Sequence, residues 1–176
     1  MPGIMLAANA DTPPSSHSED AIESAMLYNF TRFVEWPAGA LGADAAPLAI
    51  CVLGDDARVP VLEAAVRNKT AYGHPLSVRR LDARANPKGC AVLFVGIADG
   101  PRMAGILQSA ARAPILTIGE RVQFSRMGGV IAFIREGNRI RFEINLDAAD
   151  RAGLQISSKL LRLATVWRES APRARN

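Results

Sequence analysis

Three short stretches set glycine beside acid. Gly54-Asp55-Asp56, Gly96 with Asp99, and Gly119-Glu120 each follow a continuous apolar run, at 48–53, 91–95 and 115–118. In an open α/β sheet, ligands bind outside the carboxyl ends of the strands. Glycine at such a place lets a ligand or another backbone come close. Gly54, Asp55, Gly96 and Gly119 therefore form a candidate ligand edge. Its acidic neighbours would repel phosphate and suit an amine or a basic protein segment. The same residue types are also ordinary turn formers. No G-x-G-x-x-G or P-loop pattern is present, which argues against a bound nucleotide.

Other chemistry finds little support. The only histidines, His17 and His74, and the only cysteines, Cys51 and Cys90, lack the spacing of a zinc site. There is no G-x-S-x-G nucleophile elbow. Ser157 and Ser158 directly precede a helical pattern, so they read as a helix cap and not as nucleophiles. The expectation is a protein that is not an enzyme and holds neither cofactor nor metal.

The elements that must position these residues alternate. A first helix is expected over 19–34, with Ile22, Met26, Phe30 and Phe33 on one face. Trp36-Pro37 stops it. Tyr28, Phe30, Phe33 and Trp36 form either an aromatic docking surface or the helix's packed face. Strands follow at 48–53, 76–81, 91–95 and 115–118. Helices lie between them at 59–67, with Val59, Leu62 and Val66 inward, and at 102–111. The clearest pattern comes last. Val130, Ala132 and Ile134 alternate with Ile131, Phe133 and Arg135. After Glu136-Gly137-Asn138, Ile140, Phe142, Ile144 and Leu146 alternate with Arg139, Arg141, Glu143 and Asn145. Two period-two runs around a short glycine turn predict a hairpin. Its second strand should have one buried face and one facing water or a partner. Asn145 or Asp147 caps a short helix that Gly153 ends. Ser157 caps a last helix carrying Leu160, Leu161, Ala164 and Trp167. The expected architecture is a single-domain α/β three-layer sandwich. Its mixed sheet has a parallel amino-terminal part and an antiparallel carboxy-terminal hairpin.

Composition bounds the class. The 176 residues are 49% hydrophobic and 22% charged, a globular balance. No apolar run approaches the ~20 residues that span a bilayer. The net charge of +4 comes without a nucleic-acid motif. Ala8-Asn9-Ala10 has the small-x-small form of a secretory cleavage site. The predicted division is a signal-peptide remnant and mobile lead-in at 1–18, one domain at 19–168, and a basic tail at 169–176.

MLYNFTRFVEWP (26–37), ICVLGDD (50–56), CAVLFVG (90–96), GGVIAF (128–133), RFEIN (141–145) and GLQISSKLLRLA (153–164) stand in one order. Together they resemble the blocks of the YfiR-like family over roughly 21–167. That family comprises periplasmic proteins whose best-understood members restrain a membrane-bound diguanylate cyclase. The resemblance implies a periplasmic regulator that binds the cyclase's periplasmic part and so lowers cyclic-di-GMP signalling. Arg139, Arg141 and Glu143, the facing Ile131, and the helix from Asp147 to Arg151 with Ala149 are the candidate contact. Plain solvent exposure is the competing reading. A homodimer also fits the family. The alternative function is a periplasmic small-molecule receptor domain that reports to a sensor kinase or cyclase through the acidic edge. Cys51 and Cys90 match family cysteines, and an even count in an exported protein implies a disulfide. Two buried thiols remain the other possibility. Some relatives carry a second pair near the hairpin, where this chain has Ser125 and Ala132.

Overall fold

The structure is a computed structural model and describes residues 16–97 and 99–169. The motif at 8–10, most of the lead-in, Arg173, Arg175 and the side chain of His17 lie outside the described residues. The elements are α1 (Ser16–Phe33), β1 (Val34–Glu35), β2 (Leu48–Leu53), α2 (Arg58–Val66), β3 (Thr70–Ala71) and β4 (His74–Leu81). Next come β5 (Val92–Val95), α3 (Gly100–Ala110), β6 (Leu116–Gly119), α4 (Val122–Arg126), β7 (Ile131–Glu136) and β8 (Arg139–Asn145). The chain closes with α5 (Leu146–Arg151), β9 (Gln155–Ile156), α6 (Ser158–Leu161) and β10 (Thr165–Trp167).

Eight of the described strands form one sheet in the order β10-β8-β7-β6-β5-β2-β4-β3. From β7 to β4 the neighbours are parallel. The β7–β8 hairpin is antiparallel, with Phe133 opposite Phe142 and a turn at Gly137, where φ is +58°. Positive φ favours glycine there. Two apolar layers sandwich the sheet. Leu27 and Phe30 of α1, Leu62 and Val66 of α2, Ala148, Ala149 and Leu160 pack on one face against Ile50, Phe94, Ile118, Phe133 and Ile144. Met103, Leu107 and Ala110 of α3, with Phe124 of α4, cover Cys51, Leu53, Leu93, Val95 and Ala132 on the other. This is the expected three-layer mixed α/β sandwich. Phe30 anchors the first layer, its ring 5.7 Å from that of Phe133 and 4.9 Å from that of Phe142. The packed reading of the first helix's aromatics therefore holds for Phe30.

Three elements differ from expectation. The inward face of α1 is rotated: Leu27 and Phe30 are buried, whereas Ile22 is 49% exposed. The inward positions one turn earlier are Glu23 and Ser24, both buried, so the apolar spacing missed a polar contact. The expected last helix stops at Leu161. Thr165, Val166 and Trp167, β-branched and aromatic, instead pair parallel with Glu143, Ile144 and Asn145. Val34 and Glu35 form a small antiparallel sheet with Ile156 and Gln155; two residues are too short for a periodicity to mark.

Candidate functional site

The sharpest electrostatic feature lies at the carboxyl ends of β2 and β6, beneath the first turns of α1. Arg58 opens α2, and its side chain is only 2% exposed. Its guanidinium meets Asp20 at 3.1 Å, Glu23 at 3.0 Å and Asp55 at 2.9 Å, and it also pairs with Glu120. The guanidinium carbon sits 4.3 Å from the centroid of the Phe94 ring, a cation–π contact. Arg135 of β7 adds a second positive charge. It lies 2.6 Å from Glu19, 3.4 Å from Glu23 and 3.7 Å from Glu120. Asp20, Glu23 and Glu120 stand close enough to hold a metal ion. Arg58 already supplies the cation among them.

The charges here do not balance: five carboxylates face two guanidiniums. Burial, and after it the hydrogen bond with Glu120, raise the Glu23 carboxyl from 4.5 to about 7, against the pull of Arg58 and Arg135. Burial is also the largest influence on Arg58 and lowers its pKa. Glu120, Glu23, Asp55 and Asp20 together outweigh it and raise the pKa. The linkage sign follows. Glu23 holds its proton more tightly folded than unfolded, so its contribution is fully present below pH 4.5 and is lost as pH rises to about 7. Relative to Glu23→Gln, the wild-type protein is therefore expected to lose stability between pH 5 and 7.5. The slope is at most about tenfold in the folding equilibrium per pH unit. Denaturant midpoints of the two proteins across that range check this, and parallel curves would contradict it.

The glycines of the predicted ligand edge have a structural cause. A Cβ on Gly54 would meet Ile97 Cγ1 at 2.5 Å, and one on Gly96 would meet Asp55 Cβ at 2.6 Å. The loops after β2 and β5 cross at this distance. A Cβ on Gly119 would strike the Phe124 ring at 2.4 Å, and one on Gly129 would strike it at 2.1 Å; the two glycines form the slot for that ring. Asp55 is spent on Arg58, bonding its backbone N–H at 3.3 Å and its Nε at 2.9 Å. The edge thus holds the cation its acidity called for, and that cation is the chain's own. Sequence reasoning missed Arg58. The signal was present: Arg58, Leu62 and Val66 recur every four residues, and all three are buried. An inward arginine beside Asp55 at the helix start marks an ion pair in the core.

The hairpin candidates separate. Arg141 is exposed and pairs with Glu136 at 2.7 Å. Ile131 and Ala149 are buried in the core at 0% and 1% exposure, and Glu143 is buried at 4%. None of these three offers surface to a partner. The prediction that Glu143 faces water is corrected: α4 covers that face of β8, and β10 flanks it within the sheet. The Ser125 hydroxyl donates to Glu143 Oε1, and Arg126 stands 3.6 Å from Oε2. Removing a buried, hydrogen-bonded carboxylate strands its donors, at about 1–3 kcal/mol. That replaces the near-zero change expected of an exposed residue. Arg126 also lies over the Trp167 ring at 4.4 Å. Of the two predicted candidates, Asn145 and Asp147, it is Asn145 that caps α5, its Oδ1 accepting from the Ala148 N–H at 2.9 Å. Glu169, assigned by sequence to the tail, is tied down by Arg151 at 2.6 Å. The remaining exposed apolar residues here are Leu163, at 76%, and Val166, at 44%.

Cys51 and Cys90 are joined in a disulfide with Cα atoms 5.8 Å apart. The bond links β2 to the residues leading into its parallel neighbour β5. Arg79 of β4 caps it, Nε donating to Cys51 Sγ at 3.1 Å and Nη2 to Cys90 Sγ at 3.5 Å. His74, 9% exposed, is a tether: its Nδ1 lies 2.7 Å from the Ala46 carbonyl oxygen.

A solved structure with a similar fold is that of a conserved domain protein from Vibrio cholerae O1 biovar El Tor str. N16961. It aligns with a TM-score of 0.58 at 12% identity, over 85% of this chain and 60% of that one. This chain therefore spans about three fifths of that protein, and the likeness concerns the fold alone. The model of the YfiR/HmsC-like family matches residues 20–165, from the acidic turn of α1 to the first residue of β10. With a match over that span, the chain belongs to the YfiR/HmsC-like family.

Proposed function

We propose that the protein is a periplasmic regulatory binding protein that restrains a membrane-bound diguanylate cyclase and so lowers cyclic-di-GMP signalling. The family match over residues 20–165 carries this reading. On the family reading, the contact lies on the cyclase's periplasmic portion; no helix among the described residues is long and apolar enough to cross a membrane. Such restraint needs only a difference in affinity between the partner's active and inactive states.

The burial of Ile131, Glu143 and Ala149 moves the proposed contact to the outer edge of the sheet. There β10 has one hydrogen-bonded neighbour, β8. Leu163, just before β10, and Val166 within it leave apolar surface exposed along it, and Arg168 directly after it is exposed. Leu163→Asp replaces an exposed side chain, so stability should change by only about 0.5 kcal/mol. In a pull-down from membranes, the wild-type protein should retain a cyclase and Leu163→Asp should lose it at an unchanged melting temperature. Equal capture by both would put the contact elsewhere. A homodimer through the same edge would appear as a variant-sensitive change in mass without any cyclase.

The second reading, a small-molecule receptor domain, is favoured by one feature: a cavity at the opposite ends of the strands.

A further inference from the structure

At the amino ends of β2, β5 and β6, away from Arg58, lies a cavity of about 480 Å³. That is within the usual range for a small-molecule site. Its walls include Leu48, Ala49, Ala91, Pro114 and Ile115. Among the described residues, Lys88 is the one charged residue lining it, and no carboxylate does so. Lys88 is exposed, and its hydrogen bonds among the described residues are made by its backbone.

The rim that carries this lysine is fixed. The Asn86 Oδ1 accepts from the Lys88 backbone N–H at 2.9 Å. The Lys88 carbonyl accepts from Arg79 Nη2 at 3.4 Å. Two residues on, Cys90 is bonded to β2 through the disulfide. Lys88 thus sits on an anchored turn, and a ligand would find the cavity preformed. An apolar chamber with one cation at its mouth suits an apolar body that ends in one acidic group.

We propose that this cavity binds a small amphiphilic acid, an aromatic or medium-chain carboxylate, with its apolar part between β2, β5 and the end of α3 and its acid group on Lys88. The site is distinct from the acidic edge, where Arg58 already fills the place of a cation. The proposal does not depend on the cyclase reading, because occupancy is measured on the isolated chain.

The test uses two probes. The fluorescent sulfonate 1-anilinonaphthalene-8-sulfonate is titrated into wild-type protein, and decanoate or the uncharged decanol is then added as competitor. The expected result is saturable one-to-one binding of the dye, displaced by decanoate and at least about tenfold less well by decanol. Lys88→Ala should weaken dye and decanoate together. Ser109→Trp, which projects an indole from the exposed wall of α3, should abolish both at an unchanged melting temperature. The Leu163→Asp variant separates the competing location. Dye binding lost in Leu163→Asp but retained in Ser109→Trp would place the dye on the β10 edge and overturn the proposal. So would the absence of saturable binding, or equal displacement by decanol and decanoate, which needs no variant to fold.

Discussion

Arg58→Ala should destabilise the protein by about 3–5 kcal/mol, the cost of leaving buried charges without their partner. The guanidinium is 2% exposed and faces Asp20, Glu23, Asp55 and Glu120. Without it, the one cation left beside the fully buried Glu23 among the described residues is Arg135, at 3.4 Å and 43% exposed. The variant also removes the cation over Phe94. A plain loss of packing would cost the same at every pH. A loss of counter-charge would not, because the stranded carboxyls take up protons and their pKa values rise further. The deficit should therefore shrink as pH falls from 7.5 to 5. Denaturant unfolding at both pH values measures it. A deficit below about 1 kcal/mol at pH 7.5 would show that the charges rearrange at little cost.

Loss of the Cys51–Cys90 bond should have an effect of similar size. The two cysteines are 39 residues apart in sequence, and the chain-entropy model gives about 4 kcal/mol for a closed loop of that length. Both cysteines are buried. The double variant Cys51→Ala/Cys90→Ala leaves the native packing nearly intact and releases the unfolded chain, so the comparison isolates the cross-link. The melting temperature should fall by the same amount in the double variant as in reduced wild-type protein. Denatured, unreduced protein should show no free thiol. Two free thiols per chain, or a double variant as stable as the oxidised protein, would contradict the account.

Much of the fold was legible because it rests on patterns of period two and on apolar runs. The β7–β8 hairpin, the buried strands at 48–53 and 92–95, and the caps at Asn145 and Ser157 are local in origin. What escaped the sequence reading is non-local. Alternation marks two faces of a strand but not what covers each of them. Glu143 and Asn145 occupy the polar side of β8, and both are buried because α4 closes over that face while β10 extends the sheet beside it. Ile131 and Ala149 are buried in the opposite layer, the one that α1 and α2 pack on. The acidic edge was found without its occupant, because Arg58 comes to Glu120 from 62 residues away and to Asp20 from 38. The glycines at 54, 96 and 119 were read as room for a ligand or another backbone, with ordinary turns as the alternative. In the fold that room is taken by Ile97, Asp55 and Phe124.

The central claim is restraint of a cyclase through the exposed edge of β10. It is tested most directly by cellular cyclic diguanylate in a strain lacking the protein and complemented with exported wild-type or Leu163→Asp chain. Deletion should raise the dinucleotide, the wild-type chain should lower it again, and Leu163→Asp should not, although it accumulates to the same level. A level unchanged by deletion under every surface-growth condition would contradict the claim.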